Sequence, residues 1–208
     1  IMKNLKYIPI LMLGGLAVQL NSAGQASKTP NILIIYADDL GYGDLHCYNH
    51  KHGKIPTPNI DRLASEGMLF TDAHCSSGVS SPLRYTLLTG RYHWRSRLQK
   101  GIVGMWERPL ITPDRVTIAG LVKTKGYNTY AIGKWHLGWN WPFAPEQMTN
   151  FKGFSGFEGK SQSIEMKTVA TEENRSVWTQ TLLQSIKGGP TTVGFDYYFG
   201  TDVPNGPP

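Results

Sequence analysis

The residues best suited to chemistry stand in the run SSPLRYTLLTGR, positions 80–91. Ser80 places a hydroxyl just ahead of an apolar helical segment, with Pro82 suited to the first turn and Gly90 to the end. A helix start leaves backbone N–H groups unpaired and carries about half a positive charge, so it makes a cradle for a tetrahedral oxyanion. Arg84 lies four residues on and returns to the same face one turn later, within reach of the group at position 80. Ser81 reads as an ordinary N-cap hydroxyl. Two more clusters follow apolar runs: Asp38 and Asp39 after Ile32 to Tyr36, and Lys134 and His136 after Asn128 to Ile132. Neighbouring carboxylates at the end of a buried strand repel each other unless positive charge lies between them, which points to a divalent cation.

The elements that must position these groups read as an α/β protein. The unalternating run Ile32–Tyr36 predicts a strand buried on both faces. In TPNIDRLASEGMLF, Thr57 is the expected N-cap and Pro58 the first helical residue. Ile60, Leu63 and Ala64 share a face, Gly67 stops the helix, and Met68 to Phe70 begin another strand. A third unit runs through VTIAGLVKTK to Gly126 and into a strand from Asn128 to Ile132. Such units predict a mostly parallel sheet with helices on both faces, whose ligands sit beyond the carboxyl ends of the strands. From about 140 to 190 the chain turns glycine-, proline- and aromatic-rich, a loop-rich insertion with a helix near Val177 to Ile186.

The 208 residues, 40% of them hydrophobic, suffice for one domain with a buried core. Residues 1–26 pair a lysine-bearing start with a short apolar run and a small-residue tail, the pattern of a secretory signal peptide. That pattern implies a secreted or periplasmic protein, and no later segment is apolar enough to span a membrane. The net charge of +6 is scattered except in RYHWRSRLQK, positions 91–100. There His93 and Arg95 stand among aromatics, a composition that suits an anionic small substrate better than nucleic acid in an exported protein. Cys47 and Cys75 are the only cysteines, too few for a disulfide framework, and their spacing leaves pairing open.

Four motifs occur together in order: Asp38-Asp39 with Leu-Gly-Tyr-Gly, Thr57-Pro58-Asn59-Ile60-Asp61, Ser80-x-Pro82-x-Arg84 with Leu88-Thr89-Gly90-Arg91, and Gly133-Lys134-Trp135-His136-Leu137-Gly138. This set resembles type I sulfatases of the alkaline phosphatase superfamily. The resemblance implies an alkaline-phosphatase-like sandwich and hydrolysis of sulfate esters, with an exported chain favouring a sulfated carbohydrate. It implies formylglycine at position 80, derived from Ser80, or from a cysteine if Ser80 replaces one, and installed by a maturation enzyme. It further implies Ca²⁺ on Asp38, Asp39 and residue 80, with Arg84 holding the hydrated aldehyde and Lys134 contacting sulfate. His136 would orient or deprotonate the same group, and His93 and Arg95 would contact the sugar. Cys75 fails the motif, since Ser77 and Val79 stand where proline and arginine belong. Calcium takes about six to eight oxygens, more than these residues offer, so the reading expects further ligands from a longer chain. Asp196 in GFDYYFG is one candidate oxygen, in surroundings that resemble a structural turn of the family. Two alternatives stay open: a phosphoryl-transfer enzyme using unmodified Ser80, and a non-catalytic binder of sulfated sugars.

Overall fold

The computed structural model describes residues 29–151 and 170–202. The expected signal peptide, the middle of the expected insertion and the terminal VPNGPP lie outside the described residues. The chain divides into two units at Tyr36 and Ala37. In the first, residues 29–36 form no regular element, and Leu33 and Ile35 are exposed. The strand expected at Ile32–Tyr36 is therefore not formed, because an apolar β-branched run becomes a strand only when a partner pairs with its backbone.

The second unit builds its helices much as the sequence implies. Helix α1 covers Pro58–Glu66 with proline in its first turn. Thr57 anchors its start by a different bond from the usual cap: its Oγ1 accepts the His46 N–H at 3.0 Å and donates to Asp61 Oδ1 at 3.0 Å. Asp61 Oδ1 also accepts the Cys47 N–H at 2.8 Å, so the TPNID run fastens the preceding loop to the helix. Its apolar positions Ile60 and Leu63 are exposed, and the strand expected at Met68–Phe70 is absent.

Helix α2 spans Ser80–Thr89 and ends where Gly90 adopts φ 63°, its N–H returning to the Thr86 carbonyl. Glycine suits this left-handed stop because it carries no Cβ. Val79, not Ser80 or Ser81, is the N-cap, so both serines lie inside the first turn. Helix α3, Ile118–Lys123, starts at Thr117, whose side chain accepts the Gly120 N–H. Strand β1, Tyr130–Ile132, runs parallel to β2, Tyr197–Phe199, with Ala131 opposite Tyr198. Helix α4, Glu172–Leu182, overlaps the expected helix but starts and ends about one turn earlier, capped by Thr171.

Tyr85, Leu98, Val103, Leu110, Ile111, Trp135 and Leu137 form the main core. A second cluster joins Trp106 to Trp178 of α4, so the described part of the insertion is packed rather than loose. Leu137 is fully buried, which contributes roughly 1.5–3 kcal/mol. It and Trp135 flank His136, so the core grips the loop carrying the histidine from both sides.

Candidate active site

Four side chains predicted as functional converge at the first turn of α2. Arg84 donates through Nε to Ser80 Oγ at 2.8 Å, as the one-turn spacing implies. Its Nη1 donates to the Lys134 carbonyl at 2.5 Å, and its Nη2 lies 3.4 Å from Asp38 Oδ2. Lys134 Nζ also donates to Asp38 Oδ2. One guanidinium therefore ties the helix, the loop after β1 and the Asp38 loop into a single site.

His136 completes it from the other side. Its Nε2–H donates to the Val103 carbonyl at 2.9 Å, which leaves Nδ1 as the acceptor, 3.1 Å from Ser80 Oγ. Burial, reinforced by the Lys134 charge, pulls the imidazole down to about 4, so it is neutral near pH 7. The result is a hydroxyl with a neutral base on one side and a fixed cation on the other. Ser81, expected as a bland cap, is completely buried, and its Oγ accepts the Val103 N–H at 3.1 Å. Both backbone polar groups of Val103 are thus held, its N–H by α2 and its carbonyl by His136.

The backbone here is unusual as well. Asp39 at φ 59° and His136 at φ 53° are the described non-glycine residues in the left-handed region; His136 belongs to this site and Asp39 follows its Asp38. For buried His136 the surroundings impose this conformation, which otherwise costs energy. The His136 N–H donates to the Asp202 carbonyl at 2.9 Å and the Trp135 N–H to the Thr201 carbonyl at 2.8 Å. These bonds carry the parallel pairing of β1 and β2 onward into the site. Gly200 permits it, because a Cβ there would lie 1.8 Å from the Gly133 carbonyl oxygen. Gly138 closes the motif at φ 81°, where a Cβ would lie 2.3 Å from the Arg108 carbonyl oxygen.

The Asp38-Asp39 pair differs from its expected electrostatics. Partial burial opposes the charge on Asp38, but the Lys134 hydrogen bond and the charges of Arg84 and Lys134 outweigh it and hold its carboxyl below the usual value. Positive charge beside Asp38 is therefore supplied by Lys134 and Arg84. Asp39 is exposed. Among the described residues no group of three His, Cys, Asp or Glu side chains is placed to hold a metal, and these residues alone do not fit Ca²⁺. Asp196 is not a substitute ligand. Its carboxylate pairs with Lys123 Nζ at 2.5 Å and accepts the Thr129 N–H at 2.8 Å.

His93 and Arg95 occupy a short 3-10 turn, outside the bonds that join Ser80 to Arg84 and His136. Arg95 instead lines a separate groove. Sequence reasoning missed Asp202, whose Oδ1 is buried with no hydrogen-bond partner among the described residues and whose carboxyl is pushed up to about 7 by burial. It stands three residues beyond β2, at the kind of strand end that singled out Lys134 and His136. The Val103 peptide has no side-chain signal by which it could have been found.

The sulfatase family model matches residues 30–189, most of the chain. The chain belongs to the sulfatase family. It is 46% identical over 130 residues to an N-acetylgalactosamine-6-O-sulfatase of Bacteroides thetaiotaomicron, covering 62% of this chain and 24% of that protein. It is 43% identical over 118 residues to human arylsulfatase A, covering 56% of this chain and 23% of the relative. A solved chain from work on the metabolism of multiple glycosaminoglycans by Bacteroides thetaiotaomicron superposes with a TM-score of 0.59 at 37% identity, covering 84% of this chain and 28% of that one. The sulfatase chain thus spans about a quarter of the length of these relatives. Its short parallel sheet with helices belongs to the α/β, alkaline-phosphatase-like class. Among the described residues no helix is long and apolar enough to cross a membrane, and both cysteines are unpaired.

Proposed function

We propose that the complete protein hydrolyses a sulfate ester at the residue-80 side chain, on a carbohydrate substrate. The observation that carries this reading is the convergence of Arg84 Nε and His136 Nδ1 on Ser80 Oγ at the start of α2. His136 is neutral with a free lone pair on Nδ1, so it accepts the proton of a hydroxyl at position 80. Arg84 holds the oxygen of that hydroxyl and stabilises negative charge developing there, aided by the positive end of α2. Lys134, adjacent through Asp38, supplies a second cation for the sulfate oxygens. Oxidation of residue 80 to formylglycine would supply a hydrated aldehyde, with one hydroxyl to attack sulfur and a second to release sulfate.

The maturation enzyme, the formylglycine and export to the periplasm or outside the cell belong to this reading. So does Ca²⁺, which Asp38, Asp39 and residue 80 would hold together with further oxygen ligands. Lys134 and His136 are assigned to substrate and to the reacting hydroxyl, and Arg95 with His93 to more distant parts of a substrate. The relative that acts at the 6-O-sulfate of N-acetylgalactosamine makes sulfated amino sugars the first compounds to try. The complete protein should release sulfate from N-acetylgalactosamine 6-sulfate, and mass spectrometry should find residue 80 short of two hydrogens. Failure to release sulfate from any sulfated sugar, with residue 80 converted, would reject the carbohydrate reading.

A further inference from the structure

The groove lined by Arg95 shares none of its walls with Ser80, Arg84, Lys134 or His136. It has a volume of about 630 Å³, within the usual range of ligand sites. Its cations are all arginines: Arg91, Arg95, Arg97, Arg108 and Arg115, and neither lysine nor carboxylate lines it. Arg97 is neutralised by buried Glu107, Nη1 to Oε2 at 2.9 Å. Arg91, Arg95, Arg108 and Arg115 form no ion pair with a described carboxylate. Asp114, exposed beside Arg115, is drawn chiefly to Thr112.

Glu107 and Asp114 act on Arg108 and Arg115 only at longer range, so guanidinium groups without a direct ion pair crowd one cavity, and an anion relieves their repulsion. Each offers a planar fork matched to the paired oxygens of a sulfate or carboxylate. The floor is apolar, with Leu110 and Tyr85 buried beneath the charges. Interleaved with Arg91 and Arg95 along the chain are Tyr92 and Trp94, exposed and stacked at 4.1 Å with an 11° interplanar angle. Neither aromatic lines the groove itself, so their plane serves a ligand with C–H faces only where that ligand extends past the groove walls. We propose that this groove is a second anion site, remote from the reacting hydroxyl, that binds a sulfated or carboxylated unit of an acidic oligosaccharide. The choice of ligand rests on the sulfatase reading above; the charge and shape of the groove do not.

The test uses the complete protein and a hexasaccharide of N-acetylgalactosamine 6-sulfate alternating with uronic acid. Binding is measured by calorimetry in a Ser80→Ala background, so that turnover plays no part. Arg108→Gln with Arg115→Gln should weaken binding by roughly tenfold or more and flatten its salt dependence. In the active background the same pair should raise KM for the hexasaccharide while turnover of a small aryl sulfate stays within about twofold. Arg108→Lys with Arg115→Lys keeps the charge without the fork and should fall between the two, which separates recognition from loss of folding. An unchanged dissociation constant would overturn the proposal, as would equal binding of poly-glutamate, which would mark an acidic-peptide face. Absence of sulfate release in the active background would instead reject the catalytic reading and leave the binding difference intact.

Discussion

His136 Nδ1 lies 3.1 Å from Ser80 Oγ because the other ring nitrogen is fixed to the Val103 carbonyl. That pair of bonds decides the tautomer, and the tautomer decides that the histidine can only accept from the hydroxyl. Replacing His136 with asparagine preserves the left-handed backbone, which asparagine tolerates, but removes the base. The complete enzyme should lose about 10²–10⁴-fold in kcat, as for other positioned bases. Sulfate release assayed on purified His136→Asn protein checks this, and unimpaired turnover would dismiss the role.

Ser81 tests the support behind that tautomer. Its buried hydroxyl accepts the Val103 N–H, so Ser81→Ala leaves a buried donor without that acceptor at a cost of about 1–3 kcal/mol. Because the same residue holds His136 through its carbonyl, one peptide unit further on, kcat should fall as well, with KM nearly constant. Urea unfolding together with steady-state kinetics would reveal both effects; a stability loss without any change in kcat would limit Ser81 to packing.

Much of this site was legible because motif spacing and helix geometry act locally. The four-residue step from Ser80 to Arg84 is a property of any helix, and Gly90 stops α2 as glycine does elsewhere. Asp38, Lys134 and His136 were recognisable by type and position after apolar runs. What was not legible depended on distant partners. Ile32–Tyr36 has a strand's composition, yet pairing cannot be read from composition, and the run forms no strand. Ser81 read as a cap because the N–H of Val103, its real partner, lies 22 residues away and leaves no side-chain trace. Arg95 read as a sugar contact from its type and neighbours, but which groove it lines depends on the fold, which places it apart from Ser80.

Asp38 and Asp39, adjacent in sequence, should behave differently when replaced. Asp38→Ala strands Lys134 and Arg84 without their shared carboxylate and should cost about 1–3 kcal/mol of stability as well as activity. Asp39 is exposed at a backbone angle that asparagine accepts, so Asp39→Asn should change stability by less than about 0.5 kcal/mol. If Asp39 is a calcium ligand in the complete protein, that variant should nevertheless lose Ca²⁺ affinity. Calcium titration of Asp39→Asn is thus the clean test of the metal assignment, and wild-type affinity would end it.

The last prediction concerns Asp196, which fastens the end of α3 to the approach of both strands. Lys123 and Thr129 together draw its carboxyl down from 3.8 to about 2. Between those values the folded protein binds fewer protons than the unfolded chain, so stability rises with pH there. The contribution is fully present above about pH 4 and is lost as the pH falls through 2. Asp196→Asn should lower the melting temperature at pH 7, where the ionised carboxylate is at its most useful. It should also flatten the acid limb of melting temperature against pH, bringing wild type and variant together near pH 2. Parallel curves with a constant offset down to that pH would show that Asp196 acts by shape and hydrogen bonding alone, without its charge.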